Sequence, residues 1–427
     1  MPTWLLEFRI DTVEFLTTLD VIAALAAAYL LIRRPTKRWI ITVAAALVIG
    51  VGLGLLITWL VSDVLNLFGL PLTEITRMWV AIACGGLALA LVNLWRSRWW
   101  RKLIAIVCIP LFLVTAGAAI NVDFGAYRSV KDLLGINPYP ELVLSEITSK
   151  PTGTIDSWSA PADLPEKGIL RKVAIPGTTS HFPARDAVVY LPPAALVKNP
   201  PALPVVELFP GQPGNPSDMF TAGRFNVDLD AYAAEHDGLA AIVVAPDQLI
   251  HPDHNPMCVD SPLGNSATYL TVDVPSWIRA NLPVAQGPRF WAVGGYSQGG
   301  TCAAQFGFGH PDLFGTTLSI SGELDPTIGP NTVKEGFGGS QAAYDAAKPS
   351  ALLTKNEPFT DAYAIFGVGQ DDQKYQREIR QMLADARDAG VQTELIQSPH
   401  SAHDWNTVRF VLKQATSSLM AHIGLGR

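Results

Sequence analysis

The sequence predicts two parts in one chain. An all-α region of four transmembrane helices comes first, and a three-layer α/β domain with a mostly parallel sheet follows. Three observations carry this reading. Hydrophobic residues make up 49% of the 427 positions, mean hydropathy is +0.24 and only 16% of residues are charged, a balance more apolar than that of a soluble domain. The apolar residues crowd the first 120 positions or so. Beyond them, short apolar runs bounded by turn residues alternate with helical patterns.

Four apolar runs lie at about 15–32, 39–61, 78–95 and 103–120. Each has roughly the 17–25 residues that a helix needs to cross a bilayer. "RRPTKR" (33–38) joins the first two runs and "RSRWWRK" (96–102) joins the last two, while "SDVLNLFGLPLTEITR" (62–77) between runs two and three is nearly neutral. Lys and Arg stay on the cytoplasmic side. A multi-pass plasma-membrane protein is therefore expected, with both basic loops inside, and both termini and the C-terminal domain extracytoplasmic. Glu7, Asp11 and Glu14 precede the first run, so it does not read as a cleaved signal peptide with a basic start. The expected organisation is a transmembrane region over 1–121, a linker over 122–141 and a soluble domain over 142–427. The net charge of −7 gives no sign of nucleic-acid binding.

Within the soluble domain, strands are expected at 170–176, 186–192, 204–210, 239–246, 290–296, 316–322, 362–368 and 391–397. Helices are expected at Val272–Asn281, Gln298–Phe308, Gln373–Asp388 and Asp404–His422. The later strands are almost wholly apolar, as in a parallel sheet covered on both faces. Strand–helix alternation of this kind gives three layers.

"VGGYSQGGT" (293–301) sits where one of these strands passes into a helix. Gly295 and Gly299 flank Ser297 in the G-x-S-x-G pattern of a nucleophile elbow. The turn there is so sharp that side chains two residues before and after the serine would collide. Ser297 is the expected nucleophile. In this α/β-hydrolase arrangement the acid and then the histidine follow the serine. "GQDDQ" after the next-to-last strand offers Asp372, with Asp371 as the alternative. "SPHSAHDW" after the last strand offers His403, which opens the final helix, with His400 as the alternative. His310 and His422 are read as structural.

A developing oxyanion needs two backbone donors. The Gln298 N–H directly follows the nucleophile. The Gln212 N–H lies in "GQPGNPSDMF" (211–220), where Gly211 lets the backbone approach closely. "HPDHNPMCVD" (251–260) contains His-x-x-His, but Pro252 and Pro256 oppose a helix that would present both rings together, so no metal is expected. Cys258 in this loop and Cys302 on the elbow helix form a possible disulfide in an oxidising compartment. Two buried thiols are the alternative.

Together these motifs resemble the putative-esterase family, which includes esterase D-type hydrolases, siderophore esterases and the mycolyltransferases of actinobacteria. The resemblance runs over roughly residues 173–410. It rests on "TYLTVDVPSWIRANLPV" (268–284), on "GGYSQGGTCAAQFGFGHPDLFGTTLSISGELDP" (294–326), on "GQDDQ" and on "HDW". It implies Ser297, Asp372 and His403 as a triad, with Gln212 and Gln298 as oxyanion donors. Pro210 and Pro213 stand where mycolyltransferases carry an acidic residue and an arginine that meet the sugar, and Val408 replaces their second tryptophan. The expected function is a membrane-anchored extracytoplasmic serine esterase acting on a small-molecule, lipid or sugar ester of the cell envelope, or on an external ester. The alternatives are acyl transfer to a sugar hydroxyl and a non-catalytic binding protein. No cofactor is expected. Membrane lipid is the one expected partner of the four helices, and the sequence names no protein partner.

Overall fold

The computed structural model describes residues 2–65, 72–148 and 150–426. It divides into two units, Met1–Ile136 and Asn137–Arg427.

The first unit is built on four long helices, α1 (Val13–Leu31), α2 (Lys37–Trp59), α3 (Glu74–Leu94) and α4 (Trp99–Phe124). All four are long and apolar enough to cross a membrane. Thr12, Thr36 and Thr73 open the first three, each hydroxyl accepting from the N–H three residues on. That bond satisfies one of the unpaired donors of a helix start. Apolar side chains point outward: Val48 is 74% and Ile49 68% exposed. A water-soluble bundle would bury such residues. Cohesion comes instead from close backbone approach, as is usual where burying apolar surface gives no advantage. A Cβ at Gly54 would lie 2.7 Å from the Ala81 Cα, and one at Gly50 would lie 2.6 Å from the Cys84 carbonyl oxygen.

The two ends of this bundle differ in charge. At one end Arg101 donates to the carbonyls of Tyr29, Leu30 and Ile32 and to Asn93, satisfying the open carbonyls that finish α1. Arg33, Arg34, Lys37, Arg38, Arg96, Arg98 and Lys102 lie near the same helix ends. At the other end the arginines are paired with carboxylates, Arg9 with Asp11 and Arg77 with Asp63. Residues 66–71 of the neutral loop, Asn66 among them, lie outside the described residues.

The second unit holds an eight-stranded sheet: β1 (Ile169–Val173), β2 (Ala187–Leu191), β3 (Val205–Phe209), β4 (Ile242–Ala245), β5 (Trp291–Tyr296), β6 (Thr316–Ile320), β7 (Tyr363–Gly369) and β8 (Gln392–Ser398). Its order is β1-β2-β4-β3-β5-β6-β7-β8. β2 runs antiparallel to both neighbours, and all other pairs are parallel. Two helix layers flank the sheet. α5 (Phe225–Glu235) packs with α10 (Trp405–Met420). α7 (Gln298–Gly309), α8 (Pro349–Asn356) and α9 (Gln373–Asp388) form the other group. The short α6 (Val274–Asn281) precedes β5. This is the expected three-layer α/β-hydrolase sandwich, and each of the eight predicted strands overlaps an observed one.

The central strands β3, β4, β5 and β6 carry one charged residue. Glu207 sits fully buried in the middle of β3, and neither carboxylate oxygen has a partner among the described residues. Burial pushes its pKa well above the ordinary value, and the Arg279 charge offsets only part of this. The carboxyl is therefore held protonated in the fold.

A group whose folded pKa is raised favours the fold fully below its unfolded pKa, and that contribution is lost as pH rises toward the folded value. Native stability should therefore decline above about pH 4.3, the ordinary glutamate value. Glu207→Leu should remove that slope and gain about 1–3 kcal/mol at neutral pH, the usual cost of a buried unsatisfied polar group. Denaturant melts at several pH values would check this. A native slope equal to that of the variant would refute it.

Candidate active site

Ser297 stands between β5 and α7 at φ 56°, ψ −121°, a conformation that is strained for any residue with a side chain. The fold holds it there by contact. A Cβ at Gly295 would lie 2.2 Å from the Gly299 carbonyl oxygen, and one at Gly299 would lie 2.3 Å from the Pro210 oxygen. The Ser297 N–H donates to the Ile320 carbonyl, which fixes the turn to β6.

The ends of β7 and β8 bring the other two groups in. Their loops are zipped together: the Gln370 N–H donates to the Ser398 carbonyl, and the Asp371 N–H donates to the Ser401 carbonyl. Asp404 caps α10 through the N–H groups of Asn406 and Thr407 and also accepts from the Ala402 N–H. His403 is thereby aimed inward. Its Nε2 lies 2.8 Å from Ser297 Oγ, and its Nδ1 lies 3.0 Å from Asp372 Oδ2. Asp372 is buried and has a second task. Its Oδ1 accepts from the Tyr375 N–H, so the same carboxylate caps α9. Asp371 and His400 are exposed, and neither bonds to Ser297 or His403 among the described residues.

The loop after β3 closes the other side. Gly211 packs on the serine: a Cβ there would lie 3.3 Å from the Ser297 Cβ. Among the described residues, the backbone N–H groups of Gln212 and Gln298 have no acceptor. Three clamps hold this loop. Gln248 Nε2 donates to the Pro210 carbonyl. Gln212 Nε2 donates to the Asp253 carbonyl. Arg185 reaches Asn215 and the Gly214 carbonyl while forming a two-point pair with the buried Asp247. The sequence reading missed Arg185 and Asp247. They lie 62 residues apart, and nothing local marks them as a pair.

Tyr375 and Tyr296 flank the imidazole, with ring centroids 4.0 and 5.0 Å from that of His403. The sequence reading missed both. Burial raises each phenol's pKa above the ordinary tyrosine value, and neighbouring carboxylates add to the effect. Both therefore remain neutral.

Cys258 and Cys302 are joined by a disulfide. It ties the 251–260 loop to α7 next to Ser297. The Gln298 side chain packs against both sulfurs and donates to Asn255. In the same loop His254 bonds through Nε2 to the Leu263 carbonyl, while His251 is exposed. No group of three or more metal-ligating side chains occurs among the described residues. The arrangement brings together a hydroxyl, an imidazole and a carboxylate, beside two N–H groups without an acceptor among the described residues, the kinds of group that acyl-transfer chemistry uses.

Comparison with known proteins follows the same line. The family model described as putative esterase matches residues 184–415. An uncharacterized protein of Corynebacterium glutamicum is 34% identical over 357 residues, which is 79% of this chain and 82% of its own length. A ferulic acid esterase superposes with a TM-score of 0.51 at 16% identity, covering 60% of this chain and 98% of its own. An S-formylglutathione hydrolase from Agrobacterium tumefaciens gives a TM-score of 0.51 at 16% identity, with 62% and 97% covered. At such identities these two solved structures share a fold.

The disulfide is directly testable. Unreduced, denatured protein should alkylate at Cys84 and Cys108 only, and reduction should expose two more thiols. The bridge spans 44 residues. Replacing both cysteines by alanine should destabilise the fold by roughly 2–5 kcal/mol. Four alkylated thiols without reductant would overturn the pairing.

Proposed function

The chain belongs to the putative esterase family, and from that premise we propose that it is a membrane-anchored serine esterase whose C-terminal unit works outside the cytoplasm. The observation that carries the chemistry is the hydrogen-bonded series Ser297–His403–Asp372 at the elbow. In this reading Ser297 Oγ attacks the ester carbonyl carbon while His403 Nε2 takes its proton. Asp372 orients the ring and stabilises it once charged. The carbonyl oxygen, now negative, lies against the N–H groups of Gln212 and Gln298. His403 then returns the proton to the departing alcohol, leaving an acyl-serine. Water, deprotonated by the same imidazole, attacks the acyl carbon and releases the acid. A hydroxyl acceptor attacking at that stage would make the reaction a transfer. A binding protein would have no use for the strained backbone at Ser297.

The location rests on two supports. Basic residues gather at one end of the helical bundle while the opposite end pairs its arginines with carboxylates, the asymmetry of a bundle with its basic end inside. A disulfide in the second unit suits an oxidising compartment.

Ser297→Ala and His403→Ala should each lower ester turnover by on the order of 10⁴–10⁶, and a fluorophosphonate should label the native chain but not Ser297→Ala. Asp372→Asn should cost roughly 10⁴ in kcat, whereas Asp371→Asn should not approach that loss. A reversed ranking of the two would move the acid to Asp371.

A cysteine placed at Asn66 should react with an impermeant reagent in intact cells, and one placed at Ser97 should react only after lysis. Labelling at Ser97 alone would invert the orientation and place the esterase unit in the cytoplasm.

A further inference from the structure

The triad leaves one polar group beside Ser297 unused. Glu323 follows β6 and is fixed to the first turn of α7, where its N–H donates to the Thr301 hydroxyl. Its Oε1 lies 3.4 Å from the Tyr375 hydroxyl and 3.3 Å from Lys374 Nζ. Among the described residues, nothing donates to its second oxygen, Oε2. Tyr375 stacks on the His403 ring, with centroids 4.0 Å apart and planes 28° from parallel. Glu323 and Lys374 are only partly covered, at 18% and 33% side-chain exposure. A carboxylate, an ammonium and a phenol thus converge next to the nucleophile, with acceptor and donor capacity to spare.

We propose that Glu323, Lys374 and Tyr375 form the subsite for the alcohol half of the ester, and that this alcohol is a neutral polyol. The inference rests on the serine-esterase reading above and adds the substrate class.

The argument is one of charge and direction. In the acylation step the bond from the carbonyl carbon to the alkoxy oxygen breaks, and that oxygen takes its proton from His403 Nε2. The alcohol must therefore leave beside the imidazole, and Tyr375 covers one face of that ring. An anionic alcohol, such as a phosphorylated one, would meet the Glu323 carboxylate. A cationic one would meet Lys374. A simple alkyl or aryl alcohol would cover this charged pair without bonding to it, which is costly. A neutral alcohol with further hydroxyls both donates to Oε2 and accepts from Nζ and the phenol. Next to Glu323, a cavity of about 10 Å³ is lined in part by Thr301 and Gln305. The Gln305 Oε1 is buried and has no partner among the described residues. That space holds about one water or hydroxyl oxygen.

The test uses the full chain in detergent micelles with two esters of one acid, 6-O-butyryl-glucose and ethyl butyrate, following butyrate release. The native protein should favour the glucose ester in kcat/KM by roughly tenfold or more, since a site built to bond hydroxyls discriminates against analogues lacking them. Glu323→Leu and Lys374→Met should each lower that ratio about tenfold, and Glu323→Gln should lower it less. Fluorophosphonate labelling of each variant shows that its site is folded. Equal turnover of the two esters by native protein would overturn the polyol subsite while leaving the esterase reading standing. A ratio unchanged in both Glu323→Leu and Lys374→Met would do the same. Turnover of neither ester, together with no fluorophosphonate labelling, would overturn both.

Discussion

The approach of β5 to α7 around Ser297 is the constraint on which the rest of the second unit depends. The strand must pass into the helix within one residue, and only glycine on either side leaves room. Once the turn is made, α7 lies almost wholly buried against the sheet. Every other part of the site docks against that junction. Gly211 rests on the serine, the 251–260 loop is joined to α7 through Cys302, and Glu323 hangs from Thr301. Three separate segments thus brace the junction that holds the strained serine.

The two units cohere by different means. In the second unit the apolar strands meet helices on both faces, and burial supplies cohesion. In the first unit large apolar side chains face outward, so burial cannot act in the same way. Glycine contacts and a few polar links, such as Arg101 to the end of α1, hold the helices together. Glu207 is the position where the second unit departs from its own rule. A carboxyl has been placed where every neighbouring strand residue is aliphatic.

What was legible in the sequence was local. Most of the eight strands could be read because they are short apolar runs ended by turn residues, and the more polar edge strands β1 and β8 because turn residues bound them. Ser297, Asp372 and His403 could be nominated because each sits in a motif at a strand end, and the structure places them within hydrogen-bonding distance. What stayed hidden depends on pairing across the chain. Arg185 and Asp247 meet only because β2 and β4 are neighbours in the sheet. Tyr375 lies three residues past Asp372, yet no pattern says that a helix cap will fold its ring onto an imidazole. Nothing local singles out Glu323, because its partners Lys374 and Tyr375 lie on another element. Asp372 itself was chosen by position, and the sequence offered the helix cap to Asp371, whereas the structure gives it to Asp372.

That double use of one carboxylate narrows what evolution can do here. Asp372 spends one oxygen on the helix and the other on the histidine. A glutamate at this position is one methylene longer, so a carboxylate still reaching the imidazole would abandon the Tyr375 amide. With the cap gone, the first turn of α9 would loosen, and Tyr375 with it. The base would then lose its aromatic wall as well as its register. A change from aspartate to glutamate would therefore disturb two elements at once, because the helix start and the histidine contact share a single side chain.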